Sequence, residues 1–152
     1  MADANLEILK QRTYLTTIEN SVGSTQYRSL FVRYQDSGEE KDILENGELS
    51  CAYFVSSVLY LFGMLDKQRA TVASVLRHVN ESPDWTEVSV AEAEPGDVVF
   101  YEEREFERGT RHAHVGFVLN GEEAVSTSDT KKCVTKHQLD YHPIESVWRY
   151  SW

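Results

Sequence analysis

Apolar residues recur at helical spacing most strongly between Ser50 and Leu65, where Phe54, Val55, Val58, Leu59, Phe62 and Leu65 form one wide stripe. The stripe predicts a buried helix. Asn46-Gly47 upstream is a turn signal, and Ser50 is the expected N-cap. A shorter helical pattern runs from Thr71 to Asn80 with Val72, Val75, Leu76 and Val79 inward, and Glu81-Ser82-Pro83-Asp84 breaks it. Residues 5–22 show a looser periodicity (Leu6, Ile8, Leu9, Leu15, Ile18, Val22) stopped by Gly23, so residues 1–22 are expected to contribute a peripheral helix.

The remaining pattern is that of strands and turns. Tyr27 to Tyr34 reads as a short strand, and the polar, acidic stretch Gln35 to Leu49 as a long surface loop. Trp85 to Val90 is extended. Glu94-Pro95-Gly96-Asp97 is a tight turn that delivers the apolar strand Val98 to Tyr101. Glu102 to Arg108, ending at Gly109, is expected to be a solvated hairpin tip. Arg111 to Leu119 and Glu122 to Ser128 read as strands joined at Asn120-Gly121. Cys133 to Thr135 and Ser146 to Tyr150 complete the set. Helices first and antiparallel strands afterwards predict one α+β domain over residues 1–152, its helices packed on one side of a sheet.

Composition narrows the partners. A net charge of −10 argues against a nucleic-acid backbone or an anionic membrane surface. No apolar stretch reaches membrane-spanning length. Met1 to Glu7 lacks a basic segment and an apolar run, so no signal peptide is read; the expectation is a cytoplasmic protein, or a secreted or envelope domain whose export signal has been removed. Two cysteines allow at most one disulfide, and neither they nor the histidines show zinc spacing, so no metal or organic cofactor is expected.

Cys51 carries the candidate chemistry. The first turn of a helix offers unpaired N–H groups and the positive end of the dipole. Both favour thiolate, the nucleophilic form, and the same N–H groups can stabilise an oxyanion. The competing reading is a cysteine that only packs, as is common on apolar helices.

Three segments in order decide between these. Ser50-Cys51-Ala52-Tyr53-Phe54-Val55 is similar to the Asp-Cys-Ser-Gly-Phe-Val nucleophile segment of the NlpC-type papain-like cysteine peptidases. Pro95-Gly96-Asp97-Val98-Val99-Phe100-Tyr101 resembles that family's Pro-Gly-Asp-Leu-Val-Phe-Phe. His114-Val115-Gly116-Phe117-Val118-Leu119-Asn120 resembles its His-Val-Gly-Ile-Tyr-Leu-Gly. The resemblance spans roughly residues 20–150 and extends more loosely to the CHAP amidases. It implies a papain-like α+β fold and a bacterial cell-wall hydrolase that cuts an amide bond in a peptide or peptidoglycan fragment. Cys51 would be nucleophile and His114 the general base.

A third group should orient the imidazole. A two-residue Asn120-Gly121 turn sets Thr127 opposite His114. A three-residue Leu119-Asn120-Gly121 loop with Gly121 left-handed sets Ser126 there, and the family spacing points to Ser126. Asp129 could substitute if the strand bends. His112 shares the strand parity of His114 and is the backup base. Cys133 is read as structural. The family's acidic and hydroxyl flanks that bind the stem-peptide amine are here Ser50 and Ala52. Its tyrosine about a dozen residues before the cysteine is replaced by Glu39 and Glu40, with Tyr34 and Tyr27 the nearest candidates. These departures leave the bond specificity open and motivate a second expectation, a non-catalytic relative that binds a peptide, a glycan fragment or a protein partner. Oligomeric state is not legible.

Overall fold

The computed structural model describes residues 5–105 and 109–152. Helix α1 is Lys10–Asn20, followed by strands β1 (Phe31–Arg33) and β2 (Glu40–Asp42), helices α2 (Cys51–Leu61) and α3 (Val72–Glu81), and strands β3 (Trp85–Val88), β4 (Val98–Glu105), β5 (Arg111–Val118), β6 (Glu123–Thr127), β7 (Val134–Gln138) and β8 (Ile144–Tyr150). β1 and β2 form a small hairpin, while the other strands make one sheet in the order β3-β8-β4-β5-β6-β7 with every neighbouring pair antiparallel. Helices and sheet are thus combined as an α+β arrangement. Among the described residues no helix is long and apolar enough to cross a membrane.

Alternation along the strands explains the layering. Val98, Phe100, Val115, Phe117, Val125 and Trp148 face the helices and share a core with Tyr14, Ile18, Phe54, Val55, Val58, Leu59, Val75 and Val79. Val99, Tyr101, Val118, Ala124, Leu139 and Val147 form a second, smaller core on the other face. β4 therefore begins buried on both sides, which is why Val98 to Tyr101 is uninterrupted by polar residues. The α2 stripe meets the sheet edge-on, with the rings of Phe54 and Phe117 5.6 Å apart and nearly perpendicular, an aromatic contact worth about 1 kcal/mol beyond its buried area.

The helix expected over residues 5–22 is shorter, and Leu6, Ile8 and Leu9 before it are exposed, so the loose apolar repeat there is not a packing face. The strand expected from Tyr27 contracts to β1. The acidic loop contains β2, organised by Asp42, whose carboxylate accepts the backbone N–H groups of Leu30, Leu44 and Asn46. The mixed-charge hairpin is strand as far as Glu105, and its tip, residues 106–108, lies outside the described residues. Ser50 does not cap α2: its hydroxyl is buried and donates to the Gly47 carbonyl at 3.2 Å.

The Pro-Gly-Asp turn is a clamp. Gly96 takes φ +92°, and a Cβ there would come within 2.7 Å of Leu15 and 2.9 Å of Tyr14, so only glycine fits under α1. The Gly96 N–H donates to the Val118 carbonyl, and the Val118 N–H to that of Asp97, at 2.9 and 2.8 Å. The buried Asp97 carboxylate accepts the Glu94 N–H and two nitrogens of Arg149, at 2.8, 3.0 and 2.8 Å. Turn, β5 and β8 are locked together. Arg149→Ala strands that carboxylate without its cation and is expected to lower unfolding free energy by about 2 kcal/mol, at the low end for a broken pair because the guanidinium is partly solvated. Urea unfolding measures it.

Candidate active site

The N-termini of α2 and α3, the start of β5 and the end of β6 enclose a cavity of about 380 Å³. Its lining includes Cys51, Ala52, His112, His114, Thr127 and Asp129. Cys51 and His114 thus line one space, each buried, the first from the helix layer and the second from the sheet. The backbone N–H groups of Val115, Ala52 and Cys51 itself favour the thiolate. β4 changes register with β5 between Tyr101 and Arg104, and this irregularity brings Arg104 to the same wall.

Ser126 reaches His114: its Oγ lies 2.7 Å from the imidazole Nε2. The register that achieves this is neither of the two expected. Phe117 pairs with Val125 and Val118 with Ala124, so Ser126 falls beside Gly116, diagonal to His114 on the same face. The Asn120 carboxamide closes the turn by accepting the N–H groups of Glu122 and Glu123, both at 2.9 Å, and Gly121 has no need of a left-handed conformation. Gly116 makes the diagonal reach possible. A Cβ at that position would stand 2.7 Å from the Val125 carbonyl oxygen and 3.0 Å from the Ser126 Cβ.

Of the other candidates, Thr127 is buried on the cavity wall and pairs with Val134 of β7. Asp129 forms an ion pair with Arg104 at 3.6 Å. His112 lines the cavity nearer its mouth, where β5 is half-exposed. Cys133 is half-buried, and both cysteines are free thiols. Of the two tyrosines considered, Tyr27 packs on Phe54 of α2 and Tyr34 is exposed.

Three residues in this region carry no motif. His137 on β7 lies 2.8 Å from Ser126 Oγ. Tyr141, after β7, meets His137 and His114 edge to face, with ring centroids 4.6 and 6.2 Å away. Arg104 sits over the Tyr141 ring at 5.8 Å. Strand alternation would put His137 on one face with Thr135, but its alignment with Ser126 depends on the conformation of 128–133, which no turn motif specifies. Among the described residues no group of three or more His, Cys, Asp or Glu side chains is placed to hold a metal ion.

Electrostatics depart from the expected thiolate. Burial pushes the Cys51 thiol up to about 11, outweighing the N–H groups and Arg104, which pull it down. Burial, aided by His137, Arg104 and His142, pushes His114 down to about 3. At neutral pH the pair is thiol and neutral imidazole. Since the thiolate fraction below its pKa rises tenfold per pH unit, iodoacetamide should alkylate Cys51 in a Cys133→Ser background about tenfold faster for each unit between about pH 6 and pH 10. Intact-protein mass spectrometry follows it; a flat profile would mean a standing ion pair. Arg104 tempers burial at Tyr141 too, whose hydroxyl is nonetheless held up at about 12.

Comparison with known protein families and with curated proteins returns no match.

Proposed function

We propose that the chain has a papain-like fold of the NlpC type and is a thiol hydrolase that cleaves an amide bond in a peptide or peptidoglycan fragment. The observation that carries this reading is the shared cavity: a cysteine in the first turn of a buried helix and a histidine bonded to Ser126 open onto one space. As the Cys51 sulfur attacks the substrate carbonyl, its proton passes to His114. The N–H groups of Cys51 and Ala52 face the developing oxyanion. His114 returns the proton to the leaving amine, the C–N bond breaks, and a thioester remains. Water, deprotonated by the same imidazole, attacks that thioester, the C–S bond breaks, and acid and thiol are released. With both partners neutral at rest, proton transfer accompanies attack.

The cavity differs from the family's amine subsite. Ser50 is turned inward and Ala52 has no polar group, so recognition of a free stem-peptide amine is not expected of them. The raised thiol favours a second reading, a binding module of the same fold. Peptidoglycan stem peptides and a mixed peptide pool, each incubated in heavy-oxygen water, separate the two. A hydrolase puts label into one new carboxylate per cut; no label from either pool contradicts it.

A further inference from the structure

We propose that His137 is a positioning residue that acts through Ser126 to hold the His114 proton on Nε2, leaving Nδ1 free as the base. One line of hydrogen bonds fixes where each proton sits. His137 Nδ1 lies 2.8 Å from the Gln138 carbonyl oxygen, which can only accept, so Nδ1 carries a hydrogen. In a neutral imidazole the other nitrogen then has a lone pair. His137 Nε2 is 2.8 Å from Ser126 Oγ and therefore accepts the hydroxyl proton. Ser126 has only one, so towards His114 Nε2, 2.7 Å away, it can only accept. His114 Nε2 must carry the hydrogen, and Nδ1 is the lone pair that can take a proton from the thiol. A backbone carbonyl on β7 thus sets the tautomer of a histidine on β5, two strands away.

Acid reverses this order of protons. Protonated His137 has a hydrogen on each nitrogen and donates to Ser126. The hydroxyl proton then turns to its other partner, His114 Nε2, because a buried hydroxyl left without an acceptor loses its solvation uncompensated. The imidazole proton of His114 moves to Nδ1, and the base is lost. The groups facing His137 are Tyr101 and Arg104 from β4, His114 from β5, Tyr141 beyond β7, and the Gln138 carbonyl on its own strand. Burial and the Arg104 cation oppose its protonation and the carbonyl favours it, with the balance below the ordinary histidine value of 6.5. The contribution of His137 to the acid limb of reactivity accordingly lies below that value, beside the protonation of His114 itself.

The chemical use of the tautomer rests on the hydrolase reading, but the tautomer itself does not, and the test keeps them apart. Ring 15N spectra of the labelled wild-type protein near pH 7 should show His114 protonated at Nε2 and bare at Nδ1; the reverse pattern overturns the proposal without any variant. His137→Phe, which cannot accept from Ser126, should move that proton to Nδ1 and slow acetylation by p-nitrophenyl acetate about tenfold or more. His137→Gln, whose carbonyl can replace Nε2 as acceptor, should restore the wild-type tautomer and rate and leave only the acid limb of His114 itself. An unchanged His114 spectrum in His137→Phe also overturns it. Absence of acetylation in the wild type would count against the hydrolase alone.

Discussion

Cys51→Ala is expected to lower amide hydrolysis about 10⁴-fold or more while leaving a cooperatively folded protein. Removal of a covalent nucleophile eliminates the acyl-enzyme route, and what survives is only the contribution of bound N–H groups and orientation. The stability cost is small because one sulfur atom leaves a void at the edge of the core, beside the cavity, where water can reach it; about 1 kcal/mol is the scale for so small a deletion. Activity on the cleaved pool and thermal unfolding, measured on the same preparation, separate the two effects. Turnover equal to wild type would remove the sulfur from the mechanism.

Gly116→Ala has the next largest expected effect, and it acts on fold and site together. The added methyl meets a backbone carbonyl at 2.7 Å, and β6 has to move because Val125 is paired with Phe117 on one side and Lys136 on the other. Overpacking of this kind costs about 1–3 kcal/mol. The displacement falls on Ser126, so the 2.7 Å bond to His114 is lost or lengthened. Misplacement of a catalytic group by about 1 Å costs on the order of 100-fold in rate. Urea unfolding should show the stability loss, and the acetylation rate should fall by more than in Ser126→Ala, which keeps the strand in place. A Gly116→Ala protein as stable and reactive as wild type would show that β6 yields without consequence.

Glycine at this position illustrates what was readable in advance. The helical stripe of α2, the apolar start of β4 and the His-Val-Gly strand followed from residue periodicity, because each buries a face whose period is set by backbone geometry alone. Periodicity alone leaves Cys51 and His114 as packing or strand-end residues; the family resemblance is what singles them out, with Ser126 chosen by its spacing. The hairpin register differs from both expected ones because the turn closes around the Asn120 side chain rather than a left-handed Gly121, which residue spacing alone does not decide. The small hairpin of β1 and β2 was hidden for a related reason. Its strands are short and mostly exposed, so they carry no burial pattern. His137, Tyr141 and Arg104 carry no local signal because long-range pairing and a strand irregularity, not local pattern, bring Arg104 to the cavity wall and the His137 and Tyr141 rings against His114. The helix terminus alone favours a thiolate, but desolvation by the surrounding core outweighs the N–H groups of the first turn.

Acyl transfer to Cys51 is the most direct test of the account. The Cys133→Ser protein, mixed with p-nitrophenyl acetate and quenched in acid, should carry a single acetyl group that peptide mapping assigns to Cys51, formed much more slowly in His114→Ala. Acetylation confined to lysines, or the same rate at Cys51 with and without the His114 imidazole, would contradict it.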